Sequence, residues 1–122
     1  MKKLILTLMA VVGIFLGAHA ADTPSFPGGK EALDKFIAAN LVYPQTSKAL
    51  GVEGVVTVQF TVNTDGSIGS IKIVRMVDPD LEQEAIRIVK KMPAWIPADK
   101  DGSPVESTAE VAVPFVLDSG ED

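Results

Sequence analysis

The side chains that most often carry chemistry are scarce in this sequence. Across 122 residues there is one histidine, His19, and no cysteine. His19 lies within residues 1–20, a segment read below as one that is removed, and the remaining chain then has neither imidazole nor thiol for a Ser-His-Asp or Cys-His nucleophilic site. The ordinary zinc and copper ligand sets are missing for the same reason. Carboxylates are plentiful, so calcium is the next candidate. Placing Gly102 at the invariant glycine of an EF-hand loop puts Pro97 and Thr108 at the first and twelfth ligand positions, which should be acidic. Placing Gly66 there gives Thr61 and Lys72, which fails again. Gly28-Gly29-Lys30 lacks the upstream glycine of a phosphate-binding loop and has Glu31 where Ser or Thr should follow the lysine. Each of these segments reads as a turn. No catalytic residue, metal site or cofactor is expected, and the chain is not read as an enzyme.

The N-terminus reads as an address. Met1-Lys2-Lys3 is a short positive region, and Leu4 to Leu16 is an almost unbroken apolar run. Ala18 and Ala20 supply the small residues that a signal peptidase requires. Crossing a bilayer as a helix takes about 20 apolar residues, more than this run holds. Residues 1–20 are therefore read as a secretory signal cut after Ala20, with a short uncleaved anchor as the alternative. Cleavage would remove His19, Lys2 and Lys3 and no acid, moving the formal net charge from −5 to −7. An acidic domain without a basic stripe is a poor partner for nucleic acid or an anionic membrane.

The mature chain has few elements to position anything. Residues 21–27 form a short lead-in. Leu33, Phe36, Ile37, Asn40 and Leu41 then fall on one helical stripe, and Tyr43-Pro44 stops it. Gln45 to Leu50 adds a further turn or two of helix before Gly51. Val56, Val58, Phe60 and Val62 alternate with polar residues as a strand. Asn63-Thr64-Asp65-Gly66 is a turn, and Ile68 to Met76 is the return strand, with a bulge near Gly69-Ser70. Asp78-Pro79 opens a second long helix with Leu81, Ala85, Ile88, Val89 and Met92 on its buried stripe. Its acids Asp80, Glu82 and Glu84 lie in the first half and its bases Arg87, Lys90 and Lys91 in the second. That suits the helix dipole better than a metal site. Ala94 to Val105 is a loop, with Trp95 packing back on the core. Val111, Val113, Phe115 and Leu117 alternate in a last strand. Pro114 cannot donate within a ladder, which places that strand at a sheet edge.

A right-handed crossover through the second long helix sets the third strand on the far side of the first. The expected fold is α+β, a two-layer sandwich. Its three-stranded antiparallel or mixed sheet, in the order second–first–third, carries two helices on one face. The domain is expected to span residues 28–118, with 119–122 as an acidic tail.

Phe26-Pro27-Gly28-Gly29-Lys30-Glu31-Ala32-Leu33, Tyr43-Pro44 and Gly54-Val55-Val56 together resemble the C-terminal domain of TonB proteins. So do Asp65-Gly66-Ser67-Ile68, Asp78-Pro79, Glu84-Ala85-Ile86, Met92-Pro93-Ala94-Trp95 and Val113-Pro114-Phe115. The resemblance runs from Phe26 to Leu117. It implies a periplasmic domain that takes part in energised transport through outer-membrane receptors. Such a domain binds the receptor's TonB-box segment by β-strand addition to its last strand. On this sequence that edge is Glu110, Val111, Ala112, Val113, Pro114, Phe115, Val116 and Leu117, and Pro114 fits only if its nitrogen faces away from the first strand.

Family members also keep an N-terminal anchor that docks onto ExbB/ExbD partners, followed by a long linker. Here the five residues between Ala20 and Phe26 would reach only about 15 Å. The expected function is thus a periplasmic binding module. A minimal transducer anchored in the inner membrane, in contact with ExbB/ExbD, is the alternative if residues 1–20 are retained. A structural module that forms a homodimer through the same edge is the third reading.

Overall fold

A computed structural model of the protein describes residues 23–117. The signal cleavage site at Ala18 and Ala20 and the acidic tail lie outside the described residues. In chain order the elements are α1 (Gly29–Asn40), α2 (Gln45–Ala49), β1 (Gly54–Val62) and β2 (Ile68–Arg75). They continue with α3 (Pro79–Lys90), β3 (Ala98–Lys100), β4 (Ser103–Val105) and β5 (Ser107–Phe115).

The main sheet has the order β2-β1-β5, and both of its pairings are antiparallel. Since β2 and β5 each oppose β1, they run parallel to one another, as a crossover through α3 requires. The fold is the expected α+β arrangement. The register of β2 on β1 shifts between Phe60 and Val62, whose partners are Ile71 and Ile68, which is the bulge anticipated at Gly69-Ser70. A second shift lies between Thr57 and Val58, opposite Arg75 and Ile73, and leaves Val74 as the extra residue. The change of apolar parity from Ile71 and Ile73 to Val74 and Met76 coincides with it. Two segments differ from expectation. The loop Ala94–Val105 contains a short hairpin, β3 on β4, turned by Asp101 and Gly102, both at positive φ. The last strand spans Ser107–Phe115 rather than 110–117.

Burial follows the two periods of the sequence. Val56, Val58, Phe60 and Val62 point inward from β1, and Val111, Val113 and Phe115 from β5. Leu81, Ala85, Ile88 and Val89 face them from α3 and are fully buried. Asp78 caps α3 by accepting from the amides of Asp80 and Leu81, and Pro79 follows at a position that needs no donor. Phe26 and Trp95 close one side of the core, each set edge-on to a neighbouring ring, with Trp95 5.2 Å from Phe60. The opposite face of the sheet carries Thr57, Gln59, Thr61 and Lys72 and is open to solvent, as one-sided antiparallel sheets commonly are.

One polar residue departs from the dipole reading given to its cluster. Glu84 is buried, 9% exposed, and serves tertiary structure instead. Its carboxylate accepts from the Val42 amide at 2.7 Å and from two Arg87 nitrogens at 2.7 and 2.8 Å. Arg87 in turn donates to the Asn40 carbonyl at 2.6 Å, so the pair clasps the C-terminal end of α1 to α3. Burial, the largest single influence, works to raise the Glu84 pKa. The hydrogen bonds from Arg87 and Val42 and the charges of Arg87 and Lys91 outweigh it, and the net displacement is downward.

A carboxylate with a depressed pKa contributes stability that is present above its unfolded value. That stability is lost as pH falls through the folded value. Glu84→Gln is therefore expected to cost about 1–2 kcal/mol at pH 7, allowing for the exposure of Arg87. Urea midpoints at pH 7 and at acid pH should show the parent losing more of its stability on acidification than the variant. An equal loss in both would mean that Glu84 does not couple folding to pH.

Candidate functional site

β5 is one of the two edge strands of the sheet, and the one that lies beside α1. Its inner side pairs with β1 without a break, from Gly54 opposite Phe115 to Val62 opposite Ser107. Among the described residues no strand lies on its outer side. Which backbone groups face outward follows from the hairpin. Asn63 donates its N–H to the Ser67 carbonyl at 2.9 Å, so odd-numbered residues of β1 direct their backbone groups toward β2. Val55 shares that parity, and its partner across the other pairing is Pro114. The two form a pair without mutual hydrogen bonds. The proline nitrogen therefore points away from β1, and Pro114 costs the inner ladder nothing. The groups of Thr108, Glu110 and Ala112 share that outward direction, with a gap in the donors at Pro114.

Of the residues expected to form this edge, Glu110, Val111, Ala112, Val113, Pro114 and Phe115 lie in β5. Val111, Val113 and Phe115 are buried in the core, so their side chains hold the strand in place and only their neighbours reach the outside. Val116 and Leu117 fall beyond the strand, and this corrects the expected span. The Leu117 amide is taken by the Glu53 carboxylate at 2.6 Å, which replaces a ladder bond with a side-chain one. Val116 is exposed. At its other end the strand starts earlier than expected, because Thr108 and Ala109 pair with Thr61 and Phe60.

The edge is bordered by a groove that the sequence did not reveal. Its far wall is α1. One lobe, about 530 Å³, lies between Phe26, Leu33 and Trp95 on one side and Thr108 to Ala112 on the other. A second lobe, about 570 Å³, lies between Ile37, Ala38 and Leu41 and the residues Ala112, Pro114 and Val55. Both lobes share Lys30, Asp34, Ile37 and Ala112, so the space runs along most of the strand. α1 buries Ile37 alone, and Leu33, Phe36 and Leu41 are only half-buried. The stripe itself is legible in the sequence, but that it is so incompletely covered shows only once α3 has taken the core. The arrangement offers backbone donors and acceptors beside an apolar trough. Chemically it can hold an extended chain.

Comparison with known proteins identifies the family. Residues 39–117 match the family model described as the Gram-negative bacterial TonB protein C-terminal. The chain is 32% identical over 81 residues to Protein TonB of Helicobacter pylori strain ATCC 700392 / 26695, covering 66% of this chain and 26% of that protein. It is 31% identical over 81 residues to Protein TonB of strain J99, covering 66% of this chain and 27% of that protein. The chain thus spans about a quarter of the length of the curated relatives it matches. Among solved structures it is similar to the solution structure of the Pseudomonas aeruginosa TonB C-terminal domain. That match has 29% identity and a TM-score of 0.52, covering 64% of this chain and 79% of the other. With the sheet order, the two long helices and the family model in agreement, the chain belongs to the TonB C-terminal domain family, a family of protein-interaction domains and not of enzymes.

Proposed function

We propose that this domain serves TonB-dependent transport as a periplasmic binding module. It captures the TonB-box segment of outer-membrane receptors by adding it as a fourth strand on β5. The observation that carries this reading is the open outer ladder of Thr108, Glu110 and Ala112 beside an apolar groove. Added strands bind mainly through backbone hydrogen bonds, so removing one outward donor should matter more than trimming an outward side chain. Ala112 is exposed and its amide faces away from β1. Ala112→Pro is expected to leave the circular dichroism spectrum unchanged and to weaken calorimetric binding of receptor TonB-box peptides at least tenfold. Unchanged binding would place the site elsewhere. Absence of binding by the parent protein would remove the capture reading and favour a structural role through the same edge.

Residues 1–20 decide a further point. Contact with ExbB/ExbD partners requires them to be retained as an inner-membrane anchor. No helix among the described residues is long and apolar enough to cross a membrane. Sequencing the N-terminus of the mature protein separates the two forms, since a chain starting at Ala21 has lost any anchor.

A further inference from the structure

Acidic groups outnumber basic ones around the β5 edge. Glu106 and Glu110 are both exposed, one just before the strand and one within it. They are four residues apart and so lie on the same side of an extended chain. The Glu53 carboxylate sits at the far end, on the Leu117 amide. From Asp101 to the end of the sequence there is no lysine or arginine. Among the described residues the one cation lining the groove is Lys30, which pairs with Asp34 at 2.9 Å on the exposed side of α1. Among the described residues Glu110 accepts only from the neutral Gln59 amide, at 3.1 Å.

We infer that the edge selects an extended partner segment that is basic. It carries lysine or arginine at two positions four residues apart, facing Glu106 and Glu110, with apolar side chains at alternate positions turned toward α1. The inference rests on the strand-capture reading and names the chemistry of what is captured. Both strands of a pair advance by the same rise per residue, so cations four apart keep step with acids four apart. Cations three apart would fall on opposite faces. A second copy of this chain is a poor occupant, because pairing β5 with itself sets the same acids against one another. The apolar trough lined by Leu33, Ile37 and Trp95 accepts the inward side chains.

Trp95 also provides a reporter. It is the sole tryptophan, 6% exposed, and its indole N–H has no partner among the described residues. An occupant of the groove should shift its emission and its indole NMR resonance.

The test uses three soluble peptides of alternating valine and threonine, eight residues long, added to the purified protein while those Trp95 signals are followed. One carries two lysines four apart in place of threonines, one has its two lysines three apart, and one has two glutamates four apart. The first should bind roughly tenfold more tightly than either of the others in low salt. That preference should shrink toward 0.2 M salt, where the screening length falls to about 7–8 Å. Glu110→Lys should lower the affinity of the first peptide and raise that of the glutamate peptide. Equal binding of all three peptides, abolished by Ala112→Pro, would overturn the charge selection and leave strand capture standing. A preference for lysine regardless of spacing, or one that survives Ala112→Pro, would show adsorption away from the edge and overturn it too. If no peptide moves the Trp95 signals, this inference falls, while receptor peptides still test capture independently.

Discussion

Replacing Phe60 by alanine is expected to cost about 3–5 kcal/mol, the range for deleting a large aromatic from a packed core. Phe60 lies mid-strand in β1 and is 1% exposed. Its ring meets Trp95 edge-on at 5.2 Å. Leu81 and Ile88 in the same buried cluster are fully covered, so little nearby is free to move into the vacated space. Without cysteine there is no disulfide to limit the unfolded chain. Against the 5–15 kcal/mol typical of a small domain, such a loss brings the protein close to unfolding at ordinary temperature. Urea titration followed by Trp95 fluorescence measures it. A loss under about 1 kcal/mol would mean that Phe60 is not on the inward face.

Gly66→Ala is expected to be nearly as damaging, for a different reason. Gly66 has φ +87°, and a Cβ built there would stand 2.1 Å from the Trp95 carbonyl oxygen. That neighbour is backbone and cannot rotate away. The Gly66 carbonyl also accepts from the Trp95 amide at 2.8 Å, so moving the turn breaks this bond and shifts Trp95 against Phe26 and Phe60. The left-handed conformation alone costs about 1–2 kcal/mol for a residue with a Cβ, and the lost hydrogen bond adds about 1 kcal/mol. With the clash included, a loss of about 3 kcal/mol in urea titration is expected. Gly102→Ala is the control. It has a similar φ, +85°, with nothing within 4 Å of its Cβ, and should show only the conformational cost. Equal losses in the two variants would mean that close approach to Trp95 is not what demands glycine at 66.

These two positions differ in how they could be known beforehand. Phe60 was legible because alternation is a local property: once Val56, Val58, Phe60 and Val62 share a parity, one face must be buried whatever the strand packs against. The stripe of α3, the Asp78-Pro79 start and the edge position forced by Pro114 are of the same kind. Each follows from the covalent geometry of a few neighbouring residues. Even the sheet order needed only the handedness of one crossover. Gly66 was legible as a turn glycine, but its approach to Trp95 was not, since 29 positions separate them in the chain.

The groove was decided entirely in three dimensions. α1 and β5 stand at opposite ends of the domain sequence, and nothing in either announces the other. What lies between them depends on which helix covers the centre of the sheet. α3, with the stronger apolar stripe, covers it, and α1 is left overhanging the edge with its own stripe half-covered. Glu84 has the same lesson. By sequence it is one acid among three near a helix start, but by structure it is the one turned inward, where the distant Val42 amide meets it and its neighbour Arg87 reaches across to the Asn40 carbonyl. Periodicity and turn chemistry settled this protein's elements and their inward faces, because those depend on neighbours along the chain. The partner groove, the helix clasp and the extent of the last strand depend on neighbours in space, and only the packed structure supplies them.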